Sequence, residues 1–154
     1  MEIINGERLV LGTCYYPEHW DESLWRDDLK RMLENGIEVI RIAEFAWSKI
    51  ERYEGVFNYD FFDRFLDVAA DMGMKVIFCT PTATPPAWLT EKYPEVLNAN
   101  MDGVLYRHGG RRHYNYNSPK YQELTRIIVE KSASHYAKHP AIIGWQIDNE
   151  LNCE

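Results

Sequence analysis

Four short apolar runs punctuate the chain, at Leu9–Tyr15, Ile37–Ala43, Met74–Cys79 and Ala141–Ile147. Most are rich in β-branched or aromatic side chains, and their near-continuous apolar character predicts strands of a buried parallel sheet. Between them the spacing changes to that of helices. Asp21–Glu34 places Leu24, Trp25, Leu29, Met32 and Leu33 on one face and stops at Asn35-Gly36. Asp60–Met72 carries Phe61, Phe62, Phe65, Leu66, Ala69 and Ala70 at helical intervals, followed by Gly73 as a stop. Ser118-Pro119 joins an N-cap residue to a proline at the first helical position. The helix it opens is expected to run to about Ala137, with Tyr121, Leu124, Ile127 and Ile128 facing inward.

The resulting order, β-α-β-α-β-(long connection)-α-β, implies an α/β fold with a parallel sheet and right-handed crossovers. A complete (β/α)8 TIM barrel needs eight such strands and typically ~250 residues. The 154 residues here hold only about the first four βα units. Residues 1–154 are therefore expected to form the N-terminal half of a barrel domain, truncated after its fourth strand. The structural rival is a flavodoxin-like sheet, which binds phosphate through an early Gly-rich turn; the first turn here, Tyr15-Tyr16-Pro17-Glu18-His19-Trp20, is bulky instead. Half a barrel leaves sheet edges and apolar strand faces uncovered, so self-association of the isolated chain is expected. The connection from Thr80 to Asn117 is too long for a plain βα link and contains Pro81, Pro85, Pro86, Pro94, Gly103, Gly109 and Gly110. Long connections inside compact domains are usually functional.

Composition narrows the function classes. Apolar residues make up 45% and charged residues 27%, as in a folded globular protein. A net charge of -7 without a basic cluster argues against nucleic acid or an anionic membrane as partner. No run approaches ~18 uninterrupted apolar residues, so no membrane span is expected, and the first residues lack the blocks of a signal peptide. Cys14, Cys79 and Cys153 are odd in number and widely separated. They make neither a disulfide framework nor a zinc spacing, and a reducing, cytoplasmic setting is the simplest reading. Five Trp and ten Tyr are many for this length. Some of these rings fill the core; others suit the apolar faces of sugars, with polar tips for hydroxyls. Trp47, Trp88 and Trp145 fit either role.

Reactive side chains of parallel α/β folds gather at the C-terminal ends of strands. Those ends read Tyr16-Pro17-Glu18-His19-Trp20, Glu44-Phe45-Ala46-Trp47, Thr80-Pro81-Thr82 and Asp148-Asn149-Glu150. There is no Gly-rich phosphate cradle, no Ser or Cys nucleophile elbow and no His cluster for a catalytic metal. Carboxylates, amides and aromatic planes are the equipment for cleaving a glycosidic bond. Glu44 either lines the pocket or serves an orienting or structural ion pair, and Glu18 and His19 are expected to stabilise the first loop.

The run Trp145-Gln146-Ile147-Asp148-Asn149-Glu150 resembles the fourth-strand signature of the clan of retaining barrel glycosidases. Four further blocks resemble the glycoside hydrolase family 42 β-galactosidases. They are Tyr15-Tyr16-Pro17-Glu18-His19-Trp20, Arg41-Ile42-Ala43-Glu44-Phe45-Ala46-Trp47-Ser48, Thr84-Pro85-Pro86-Ala87-Trp88-Leu89 and Gly110-Arg111-Arg112-His113-Tyr114. The resemblance runs from about residue 9 to the end. It implies a retaining mechanism on β-D-galactosides or galacto-oligosaccharides, without a cofactor. Glu150 matches the general acid/base, Asn149 the amide beside the scissile bond, and Arg111 an arginine that binds the galactosyl unit. Physically, Asn149 suits a sugar 2-hydroxyl and Arg111 a hydroxyl pair, while Glu150 needs a pKa lifted by burial and a nearby carboxylate.

The same resemblance places the nucleophile at the end of a seventh strand, outside this chain, so turnover by the 154 residues alone is not expected. It also implies a homo-oligomer, a trimer, for the full-length protein. Some family members hold zinc through a Cys directly after the Arg-Arg-His-Tyr block; Asn115 stands there, Cys153 alone cannot complete a tetrahedral site, and no metal is expected. Two rivals share much of this pattern. One is a related retaining enzyme for β-glucosides, β-mannans or α-L-arabinopyranosides, and the other is a catalytically incomplete carbohydrate-binding barrel.

Overall fold

The computed structural model describes residues 9–110 and 113–150. In chain order they form β1 (Leu11–Cys14), α1 (Trp25–Glu34), β2 (Ile37–Ile42), α2 (Trp47–Ile50), β3 (Glu51–Tyr53), β4 (Val56–Phe57), α3 (Asp60–Met72), β5 (Lys75–Cys79), α4 (Ala87–Lys92), α5 (Pro119–Tyr136) and β6 (Ile142–Gln146). The four apolar runs are thus strands, and the three long helices stand where the spacing placed them. The first helix begins later than its pattern suggests. A 3-10 turn over Glu22–Leu24 precedes it, with Asp21 accepting from the Ser23 N–H at 2.9 Å. Ser118 caps α5 as expected, its hydroxyl accepting from the Tyr121 N–H at 3.4 Å.

The chain divides into two compact units. The first contains residues up to Ala43, Tyr59–Cys79 and Tyr136–Ile147. Its sheet has the order β1-β2-β5-β6 and is parallel throughout. Helices α1 and α3 pack on one another, α1 on β2 and α3 on β5. Leu29, Ile40, Phe62, Phe65, Val76 and Phe78 are fully buried there. Trp25 meets Phe65 edge-on at 5.1 Å, and Phe62 meets Phe78 at 5.7 Å, the T-shaped geometry that aromatic quadrupoles favour. Gly73 ends α3 at φ 77, a left-handed cap available to glycine without strain. At Gly12 the constraint is space: a Cβ would stand 3.0 Å from the Val39 carbonyl oxygen.

On β2, Arg41 alternates with Ile40 and Ile42 and so takes the opposite face. Its guanidinium donates to Gln146 Oε1 at 2.6 Å and to Cys14 Sγ at 3.0 Å, tying three strands together on that face. Two expectations of burial fail in this unit. All of β1, at one edge of the sheet, is exposed, with Leu11 at 50%, whereas β6 at the other edge is half-buried. Leu24 is exposed at 43% because it sits in the 3-10 turn, off the helical face that buries Trp25 and Leu29.

The second unit contains Glu44–Asn58, Thr80–His135 and the residues from Asp148 onward, the segments that follow β2, β5 and β6. Its sequence pattern hid an antiparallel hairpin, β3 with β4. Glu51 organises it. One carboxylate oxygen accepts from Trp47 Nε1 at 2.7 Å and the other from the Gly55 N–H at 2.8 Å, while the Glu51 carbonyl accepts from Trp88 Nε1 at 3.0 Å. At 3% exposure this is a carboxylate embedded among aromatic rings. Burial lifts its pKa above the ordinary 4.5, against the pull of the Gly55 and Trp47 N–H groups, with Glu54 adding to the rise. The folded state therefore keeps this proton to higher pH than the unfolded chain, and the group's contribution falls as pH rises above 4.5. Glu51→Ala leaves the buried Trp47 Nε1–H without its acceptor, while the exposed Gly55 N–H can turn to water, and is expected to cost ~1–3 kcal/mol in denaturant unfolding. Glu51→Gln should instead flatten the pH dependence; an unchanged slope would dissociate Glu51 from it.

Candidate active site

The backbone is bent sharply where it leaves two strands. After β6, Asp148 and Glu150 take φ values of 52 and 44; after β2, Ala43 takes 67. Left-handed backbone at non-glycine residues is costly and persists only where surrounding contacts enforce it. The contacts at Asp148 are on hand in the second unit. Its N–H donates to Thr80 Oγ1 at 2.7 Å, and its Oδ2 accepts from Thr82 Oγ1 at 2.7 Å. Oδ1 accepts from the Asn149 N–H at 2.6 Å and, more distantly, from the Tyr116 hydroxyl at 3.4 Å. Asp148 is 8% exposed and Thr82 2%, so these bonds form away from bulk water, where they are strongest and costly to lose.

An aromatic layer backs the network. Tyr121 stacks on Tyr114 with centroids 4.8 Å apart and donates to the Thr82 carbonyl at 2.8 Å. Burial, then the neighbouring Tyr114 and Asp148, push the Tyr121 phenol well above its usual range, so it stays a neutral donor. Asp148 thereby fixes the turn that carries the next two residues. Asn149 is buried at 9% exposure and Glu150 is exposed.

Asn149 borders a cleft of about 270 Å³ within this unit. Phe45, Thr84, His108 and His113 are among its other walls. That volume lies just below the ~300–1,000 Å³ of drug-sized ligand sites and suits a single sugar ring. Phe45 is 41% exposed and offers an apolar plane. The histidines pack edge to face with centroids 5.0 Å apart. His108 Nδ1 lies 2.9 Å from Thr90 Oγ1, and His113 Nδ1 is bonded to the Gly110 carbonyl.

The residues singled out from sequence separate clearly. Asn149 and Glu150 occupy the strained turn after β6, and Glu44 is 3% exposed directly after Ala43. Arg111 and Arg112 lie outside the described residues. Of the three tryptophans that fitted either role, Trp47 belongs to the core at 0% exposure. Trp88 is half-buried and bonded to Glu51, and Trp145 packs against Phe78 at 5.3 Å. The ring in the cleft is Phe45. His19 stacks on Tyr16 at 5.4 Å in the first loop. Asn115 forms an Asx turn into α5, accepting from the Asn117 N–H at 2.9 Å. Among the described residues no His, Cys, Asp and Glu side chains group as metal ligands, and no helix is long and apolar enough to cross a membrane.

Sequence reasoning did not single out Asp148, Thr82, Thr84 or His113. Each stands inside a block that drew attention for another residue. The signal for Asp148 was its place between a strand and two polar residues, the position from which a carboxylate caps a turn.

Residues 14–154 match the profile of glycoside hydrolase family 42, described as β-galactosidase. The chain is 46% identical over 144 residues to the β-galactosidase BgaA of Thermus sp., covering 94% of this chain and 22% of that one. It is 43% identical over 143 residues to the β-galactosidase Bga of Halorubrum lacusprofundi, covering 93% of this chain and 20% of that one. Among solved structures, the β-galactosidase of the psychrophilic Marinomonas ef1 superposes with a TM-score of 0.91 at 43% identity, over 94% of this chain and 22% of that one. The chain thus spans about a fifth of the length of these relatives, and its four-stranded parallel sheet is that of the N-terminal part of a TIM barrel. By sequence and by fold, the chain belongs to glycoside hydrolase family 42, the β-galactosidase family.

Proposed function

We propose that this chain is part of a retaining β-galactosidase that removes terminal non-reducing β-D-galactosyl residues, with Glu150 as its general acid/base. The observation that carries the reading is the Asp148–Glu150 turn, strained at two non-glycine residues, locked by a buried carboxylate and placing Asn149 on a sugar-sized cleft. Membership of a family described as β-galactosidase supports the substrate class.

In the first step the Glu150 carboxyl proton passes to the glycosidic oxygen. A second carboxylate, contributed outside these residues, attacks the anomeric carbon, and the bond to the leaving oxygen breaks. In the second step the Glu150 carboxylate takes a proton from water, whose oxygen attacks the anomeric carbon and releases the enzyme carboxylate. Asn149 donates to the sugar 2-hydroxyl region, a contact that strengthens as positive charge develops at the anomeric carbon. Arg111 holds a pair of galactosyl hydroxyls in its planar fork.

Hydrolysis of a chromogenic β-galactoside by the full-length polypeptide tests the reading, against β-glucoside, β-mannoside and α-L-arabinopyranoside controls. Arg111→Ala is expected to raise KM by roughly 10- to 100-fold, the loss of one or two charge-assisted bonds. Arg112→Ala serves as the comparison. A larger effect at Arg112 would move the sugar-binding role to that neighbour.

A further inference from the structure

Two residues that line the cleft each bury a polar side-chain atom that, among the described residues, has no hydrogen-bond partner: Thr84 Oγ1 and His113 Nε2. Buried polar atoms in native proteins are nearly always satisfied, and the exceptions call for an explanation. Thr90 Oγ1 and His108 Nδ1 satisfy one another, and of the buried side-chain atoms without a partner among the described residues only those of Thr84 and His113 belong to residues that line the cleft. His113 is 3% exposed, and its other ring nitrogen is committed. Nδ1 faces the Gly110 carbonyl, which only accepts, so Nδ1 carries the proton and donates. Burial, with the nearby His108, also holds the ring below its ordinary pKa despite that carbonyl, so the second nitrogen keeps a bare lone pair. Nε2 then needs a donor, and Thr84 supplies a hydroxyl that both gives and takes.

We propose that Thr84 Oγ1 and His113 Nε2 form a hydroxyl-binding subsite in the cleft beside Asn149, in which a substrate sugar hydroxyl donates to His113 and shares a second bond with Thr84. This deepens the galactosidase reading and rests on it for the identity of the sugar. The chemistry selects an alcohol. An ionised carboxylate has no proton to give Nε2 and would face its lone pair. Phe45 supplies the apolar wall that a pyranose face requires.

The test uses the full-length polypeptide and a panel of monodeoxy nitrophenyl β-galactosides. His113→Asn keeps a donor near the Gly110 carbonyl and deletes the Nε2 acceptor; Thr84→Val deletes the hydroxyl at nearly constant shape. Each is expected to lower kcat/KM roughly 5- to 100-fold on the parent galactoside. On one deoxy substrate, the same for both variants, the loss should shrink to within about 2-fold, because the bonded hydroxyl is already gone. A loss uniform across the panel overturns the subsite and leaves a structural role or an internal water. If the wild type prefers another glycoside, the substrate reading fails separately, and the deoxy series of that glycoside tests the subsite. The ¹⁵N spectrum gives a second readout independent of turnover. His113 should appear as the Nδ1–H tautomer, and its Nε2 resonance should move on adding galactose; an Nε2–H tautomer would contradict the assignment.

Discussion

Glu150→Gln in the full-length polypeptide is expected to lower kcat on an alkyl or disaccharide galactoside by roughly 10²- to 10⁴-fold, the usual worth of a positioned proton donor. The amide keeps the shape and a hydrogen bond but has no acidic proton. The loss should depend on the leaving group. A dinitrophenolate departs without protonation, so formation of the glycosyl-enzyme should be nearly spared on that substrate. Its hydrolysis should remain slow, because water then lacks its base. A burst of aryl product followed by a slow steady state is the expected trace. If Glu150 is the proton donor, the basic limb of the kcat/KM–pH profile should disappear with the substitution. Glu150 is exposed among the described residues, which include about a fifth of its relatives' length.

Asp148→Ala is expected to have the second largest effect, on stability and activity together. It removes the acceptor for Thr82 Oγ1 and the Asn149 N–H, both on buried residues, and so loosens a turn that carries two left-handed residues. Buried donors left unmade cost ~1–3 kcal/mol each, so a loss of about 3–5 kcal/mol in unfolding free energy is expected. Asp148→Asn retains one acceptor and should be milder in stability. Measured well below its Tm, it should still lower kcat more than it raises KM, because the turn carrying Glu150 loses register while the walls of the cleft remain. Equal changes in kcat and KM, or a change in stability alone, would reduce Asp148 to a structural residue.

Much of this was legible in the chain. Strands announce themselves where apolar runs are continuous, and Ser118-Pro119 and Gly73 marked helix ends because their backbone chemistry is local. The strand-end rule then located Glu44 and Asp148-Asn149-Glu150 without any side-chain geometry. What escaped reading depends on long-range contacts. The hairpin over Glu51–Phe57 has strands of three and two residues, too short for a period, and is held by a glutamate whose partners lie on α2 and in its own turn. Trp47 and Phe45 are two residues apart, and only the fold shows that Phe45 reaches the cleft while Trp47 is sealed in the core. The exposure of β1 is equally invisible, because an edge strand and a central one share the same apolar pattern. Nothing set Thr84 and His113 apart within their blocks, since an unsatisfied atom is defined by its surroundings.

The assignment of Glu150 is tested most directly by chemical rescue of Glu150→Ala. With 2,4-dinitrophenyl β-galactoside as substrate, added azide should restore the steady-state rate, because an anion needs no general base to attack the glycosyl-enzyme. The product should be β-galactosyl azide, with retained configuration. An α-galactosyl azide would make Glu150 the nucleophile instead. No rescue, together with the same fractional loss for every leaving group, would remove Glu150 from the proton transfers altogether.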